Sequence, residues 1–216
     1  MENIKLYEEY FWQDKLTKIR KFVRKMQLNA DIVEDPKYGY IINSHHTNIS
    51  HKILRRIPYK FGDESNDFDC SYNYLTNLKN SPISVAGNFN CSHNFISRII
   101  ECPSIVGKID ISFNRLERLD TFPEVCKRYC DISNNNLKTL DNLSVFIPLN
   151  GLKIFPNKYL SQEEVDKYME RRLVENQEGS PYKEIKKWVS KEFHKRKGDY
   201  YEKLEDFEIF FDEDEK

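Results

Sequence analysis

Between Phe68 and Leu140 the chain repeats itself, and a repeat of this length leaves few folds open. Four segments come into register: FDCSYNYLTNL from Phe68, FNCSHNFISRI from Phe89, IDISFNRLERL from Ile109 and CDISNNNLKTL from Cys130, at spacings of 21, 20 and 21 residues. TNISHKILRRI from Thr47 fits at the same 21-residue offset, with Lys52 where the others carry asparagine, and reads as a degenerate terminal copy. A unit this short holds a strand, a turn and a return. It buries its apolar face only against neighbouring units, which makes a solenoid.

The columns of the alignment assign a role to each position. Phe68, Phe89, Ile109 and Cys130, followed by Cys70, Cys91, Ile111 and Ile132, alternate with Asp69, Asn90, Asp110 and Asp131, which is the pattern of a strand with one buried face. Leu75, Ile96, Leu116 and Leu137 form a third apolar column, and Leu78, Ile99, Leu119 and Leu140 a fourth. Between them stands one asparagine per unit: Asn73, Asn94, Asn114 and Asn135. Stacked asparagines inside a turn satisfy backbone donors and acceptors where the chain leaves the strand, so a ladder is predicted there, ending at Lys52. Pro82, Pro103 and Pro123 punctuate the return, where single turns or loops are expected. The residue missing from the 20-residue unit is expected between Pro103 and Ile109.

These residues resemble the leucine-rich-repeat family, whose LxxLxLxxNxL pattern is matched from Phe68, Cys70, Asn73 and Leu75 onward, with Phe, Ile or Cys often replacing Leu. The resemblance covers about half the chain and implies a curved solenoid with a parallel sheet on its concave side. The C-S-x-N-x-L wording is similar to short degenerate repeats of large tailed bacteriophages and some bacteria. Neither flank matches the family.

The N-terminal flank carries Tyr7, Phe11, Leu16, Ile19, Phe22, Val23 and Met26 at helical spacing, with Lys15, Lys18, Arg20, Lys21, Arg24 and Lys25 crowding its second half. An open solenoid end needs a cover, and this helix is positioned to be one. On the other side Ser161 and Glu164 read as a capping box ahead of Val165, Tyr168, Met169 and Leu173, with Gly179 as the stop. A second helix is expected after Ser180 and Pro181, through Ile185, Trp188, Val189 and Phe193. The tail mixes Phe207, Ile209, Phe210 and Phe211 with carboxylates; it suits either an arm that docks on a partner or a segment that folds back on this chain. The expected architecture is an α/β solenoid: a helical cap over 1–43, a short leucine-rich-repeat-like array with a parallel concave sheet over 44–157, a helical pair over 158–200 and an acidic tail over 201–216.

Composition bears on function mainly by exclusion. Lys+Arg total 34 against 35 Asp+Glu, so the chain is not a polycation built to hold nucleic acid, although its basic N-terminal helix keeps that alternative open locally. Acidic residues at the start of the chain do not suit a secretory signal, no stretch is long enough to span a bilayer, and a cytoplasmic protein is expected, in a bacterial host if phage-encoded. Cys70 and Cys91 fall in core columns, while Cys102, Cys126 and Cys130 lack the spacing of a zinc site; neither metal nor cofactor is expected. A ligase acting through a cysteine thioester, as in some bacterial leucine-rich-repeat effectors, is disfavoured because no Cys follows Cys130. No Gly-rich phosphate loop or nucleophile elbow is present.

What is left is a non-catalytic module that binds another protein, with a phage-encoded modulator or inhibitor of a host or defence protein as the form suggested by the resemblance. Alternation places Asp69, Asn90, Asp110 and Asp131 on the concave side, with a floor of serines beside them. Tyr72, His93 and Phe113 form a rail, and Tyr74, Phe95 and Arg115 follow just past the ladder. Aromatic side chains not claimed by a core are typical interface anchors.

Overall fold

The computed structural model describes residues 2–64, 66–123, 125–143 and 151–175. Met1–Arg172 form one compact unit and Leu173–Lys216 another, of which only 173–175, the end of a helix, lies among the described residues. The expected helix after Ser180 and the acidic tail therefore fall outside them.

The first unit is a parallel β-solenoid of about five turns. Its front ladder runs through β3 (Thr47–Asn48), β5 (Phe68–Asp69), the end of β6 (Ser84–Asn90), β7 (Ile105–Asp110), β8 (Val125–Asp131) and β9 (Leu152–Lys153). Phe68 pairs with Phe89, Phe89 with Ile109, Ile109 with Cys130 and Cys130 with Leu152, so the predicted register holds in space. The last of these pairings adds a turn at a 22-residue offset, from Leu152, that the sequence columns did not include.

The return side is β-structure, not the loops or single turns expected there. Val85 pairs with Val106 and Val106 with Cys126, while β4 (Asp63–Glu64) pairs with Ser84 and Val85, making a second parallel ladder behind the first. The solenoid thus has strands on both sides, and among the described residues the α-helices lie before and after it, so the expected solenoid with its parallel sheet stands and the α/β expectation is met in part, by those flanking helices. At the corner between the two ladders, Ala86–Gly87 of one turn faces Gly107 alone in the next, so the missing residue of the 20-residue unit lies in the predicted interval. The backbones nearly touch here: a Cβ on Gly107 would stand 2.6 Å from the carbonyl oxygens of Ala86 and Gly87, closer than any side chain tolerates.

All four apolar columns are buried, with Phe68, Phe89, Leu75 and Leu78 fully so. Phe61 meets Phe68 edge-on at 5.0 Å, and Phe68 stacks on Phe89 at 5.8 Å. Cys70 and Cys91 serve as small core side chains, and burial pushes both thiols well above their ordinary range.

The N-terminal cap has more parts than one helix. α1 (Glu2–Lys25) packs Ile19, Phe22 and Val23 against the core, and Phe22 meets Tyr59 of the first turn edge-on at 5.4 Å. β1 (Ala30–Asp35) and β2 (Gly39–Ser44) then form an antiparallel hairpin. Asp35 closes its turn by accepting hydrogen bonds from the Lys37 and Tyr38 amides, both at 2.8 Å. Ile42 of β2 bridges to Phe61, which ties the hairpin to the first turn. After the solenoid, α2 (Gln162–Glu175) begins at the expected cap, with the Glu164 amide donating to Ser161 Oγ at 3.3 Å. Tyr168 is buried, Met169 turns outward, and Arg171 donates to the Leu140, Asp141 and Leu143 carbonyls.

Candidate binding face

Among the described residues, all front strands but β9, which carries Lys153 and Phe155 in the two positions concerned, end in the same device. Asp69 Oδ1 accepts from the Ser71 amide at 2.8 Å and from Ser71 Oγ at 2.6 Å, and Asn48, Asn90, Asp110 and Asp131 do the same for Ser50, Ser92, Ser112 and Ser133. Ser71, Ser92, Ser112 and Ser133 are buried by it. The predicted floor of hydroxyls is therefore consumed inside the turns, and the acidic residues beside it close those turns with one of their oxygens.

Asp131 is withdrawn from the face altogether. Its side chain is buried, and its second oxygen takes Lys153 Nζ at 3.0 Å and the Tyr129 hydroxyl at 3.1 Å. Burial alone would raise this carboxyl, but the bonds from Ser133 and Lys153 outweigh it and hold it below the usual carboxylate range. Asp69, Asn90 and Asp110 remain half-buried on the front.

The residue after each serine takes a left-handed backbone. His51, Tyr72, His93, Phe113 and Asn134 have φ between 52° and 54°. Asn134, and to a lesser degree the two histidines, belong to types that adopt this conformation more readily; Tyr72 and Phe113 are held there at a cost of about 1–2 kcal/mol. What the strained positions gain is a stack. His51 lies on Tyr72 at 4.5 Å, Tyr72 on His93 at 4.3 Å and His93 on Phe113 at 4.3 Å, with ring planes within 10° of parallel.

Beyond the asparagine ladder runs a second row, where Tyr74 stacks on Phe95 at 5.6 Å and the Arg115 guanidinium covers the other side of the Phe95 ring at 4.4 Å. Tyr72, Tyr74 and Phe113 are each nearly half exposed, at 49%, 49% and 47%, so neither row folds over to seal the sheet. Because neighbouring rings cover one another's faces, the surface presents ring edges, which carry the positive part of the aromatic quadrupole. Ile53, 75% exposed, begins the second row, and Phe155 adds an exposed ring on the last turn.

Of the residues selected from sequence, Tyr72, His93 and Phe113 come together in one stack and Tyr74, Phe95 and Arg115 in another, while Asp69, Asn90 and Asp110 line the front beside them. His51, which heads the same sequence column, starts the first stack. The ladder itself is complete. Asn94 Nδ2 donates to the Cys70, Cys91 and Ser92 carbonyls, all at 3.1 Å, and its Oδ1 accepts from the Leu75 amide at 2.9 Å. Asn73, Asn114 and Asn135 repeat the pattern, and Asn157 extends it into the added turn.

Among the described residues, no group of three or more His, Cys, Asp or Glu side chains is arranged to hold a metal ion, and no helix is long and apolar enough to cross a membrane. Cys126 and Cys130 are buried, with Cys126 Sγ donating to the Tyr129 carbonyl. The face offers aromatic contact, amide and carboxylate hydrogen bonding and a guanidinium. No protein-family model, curated protein or solved structure matches the chain.

Proposed function

We propose that the chain is a non-catalytic binding module of leucine-rich-repeat type, whose front face and adjoining aromatic rows engage another protein. One observation carries the reading. Tyr72 and Phe113 are kept in a strained backbone conformation and half exposed, where Asn134 meets the same turn without strain. Strain held at solvent-facing aromatic positions supports a surface kept for contact. The partner segment is one that offers carbonyls or carboxylates to the ring edges and amide donors to Asp69, Asn90 and Asp110. A modulator of a host or defence protein is the biological form that the repeat wording favours.

The test replaces Tyr72 and Phe113 together by Asn, the residue the fold already uses at this turn, and leaves the turn-closing Asp110 intact. Wild type and variant are compared for thermal melt and for the proteins each captures from lysate of the source organism, followed by reconstitution with the purified captured protein. The expected result is an unchanged melt with binding weakened at least about tenfold, the scale of a hot-spot loss. Undiminished binding by the folded variant would move the interface off these rows.

A further inference from the structure

The first aromatic stack has an open end. His51 gives one ring face to Tyr72, and it belongs to the first turn, so no earlier repeat supplies a ring for the opposite face. At that end lies an open cleft of about 480 Å³, lined by His51 together with Met26, Gln27, Leu28, His46, Asn48, Ser50 and Lys52. Its volume falls within the ~300–1,000 Å³ of small-molecule sites.

One departure from the repeat, Lys52, and one uncharged member of the acidic column, Asn48, fall in its lining. Lys52 stands in the asparagine column, but Asn73 Oδ1 already accepts from the Lys52 amide at 3.0 Å and the Leu54 amide at 2.9 Å, so the Lys52 side chain has no part in the ladder and is exposed. Asn48 stands in the column of Asp69, Asn90, Asp110 and Asp131 and, like Asn90, brings an amide in place of a charge. Its Oδ1 is held by Ser50, which leaves the amide nitrogen as a donor.

The lining contains no Asp or Glu, and the last turn of α1, leading into Met26, carries Arg24 and Lys25. A helix C-terminus would ordinarily favour a cation. Here the carbonyls of Phe22, Val23 and Arg24 already accept from Met26, Leu28 and Gln27 at 2.9–3.0 Å. Asp67 reaches His46 at 3.9 Å from outside the lining, so His46 is left out of the anion's contacts.

We propose that this cleft binds a planar aromatic ring bearing an anionic group, a 5′-nucleoside monophosphate either free or at the end of a single strand, with the ring on the open face of His51 and the phosphate at Lys52. The bound ring continues the stack by one step, Met26 lies beside it as a soft apolar contact, and the Asn48 amide is a donor for its polar edge. The site meets the first aromatic row at His51 and takes a different ligand from the protein partner proposed for those rows.

The test is calorimetric titration of the full chain with adenosine 5′-monophosphate, adenosine, inorganic phosphate and a 5′-phosphorylated pentadeoxyadenylate. Adenosine 5′-monophosphate should bind about tenfold or more tightly than adenosine or phosphate alone, since stacking and charge each contribute on that scale. Equal affinity for the pentanucleotide assigns the site to the terminal nucleotide unit; tighter binding of the pentanucleotide assigns it to the end of a strand.

His51→Asn, which repeats the residue found at Asn134, should weaken the monophosphate about tenfold. Lys52→Asn should bring it down to the level of adenosine, and Lys158→Asn, at an exposed lysine of the last turn, should leave it unchanged. Should a variant melt early, saturation transfer from the His51 ring protons to adenine H2 and H8 in the wild type decides in its place. Monophosphate binding no tighter than phosphate, undiminished binding by His51→Asn, or absence of that transfer would each overturn the proposal.

Discussion

Asn94 holds two turns at once: its nitrogen serves carbonyls of its own turn and of the one before, and its oxygen serves the earlier turn's Leu75 amide. Leucine fits the volume and cannot replace any of these bonds. Asn94→Leu should therefore lower stability by about 1–3 kcal/mol, read as a shifted denaturant midpoint at unchanged slope. An unshifted midpoint would show that the bonds contribute nothing net. The column was legible because Asn recurs at fixed spacing. Asn157 was not, because its turn sits at a 22-residue offset. Glu64 was not legible either: it belongs to no apolar column, yet it is buried, with Oε1 accepting from Thr47 Oγ1 at 3.1 Å and Oε2 without a partner. Burial raises its pKa to about 9, only partly opposed by Thr47. The folded protein thus holds a proton that the unfolded chain releases above its ordinary carboxyl pKa of about 4.5. Its contribution is complete below pH 4.5 and is lost as pH rises through 9. Glu64→Gln should remove that slope and exceed wild type at pH 9 by on the order of several kcal/mol, whereas parallel pH profiles of the two midpoints would place Glu64 in solvent.

The elements show where local reading stopped short. Prolines at 82, 103 and 123 suggested an irregular return, since proline cannot donate to a ladder. The β-branched Val85, Val106 and Val125 that follow decide the matter, because each faces a partner in the neighbouring turn, and a pairing that depends on stacking is invisible within one unit. The hairpin of β1 and β2 was legible in principle, as Asp35, Pro36 and Gly39 mark a turn between two apolar runs. The helical spacing that precedes it, over residues 2–28, draws the 1–43 cap toward a helical reading and obscures it. α1 itself covers the first turn through Ile19 and Phe22. Removing residues 1–28 should expose that apolar edge, lower the melting midpoint and give concentration-dependent association in sedimentation velocity. A truncated chain with the sedimentation and melt of the full one would show α1 to be an independent module.

For the molecule as a whole, a period near twenty residues was enough to predict the stacking, the inward columns and the register of the front ladder. The candidate face was only half legible. The aromatic columns could be read, but nothing in the sequence shows that serines and aspartates would spend their hydrogen bonds on each other, or that rings 21 residues apart would lie face to face. The asparagine ladder also gives the array a direction, since each Asn reaches back to the preceding turn and none reaches forward. The first turn can dispense with an asparagine, as Lys52 shows, whereas every later turn must bring one. A gene segment encoding an interior turn can therefore be copied in tandem and arrive with its own fastening, while a copy of the first turn inserted further along would leave the turn before it unfastened. Lengthening by inheritance is open in the interior of this chain and closed at its beginning.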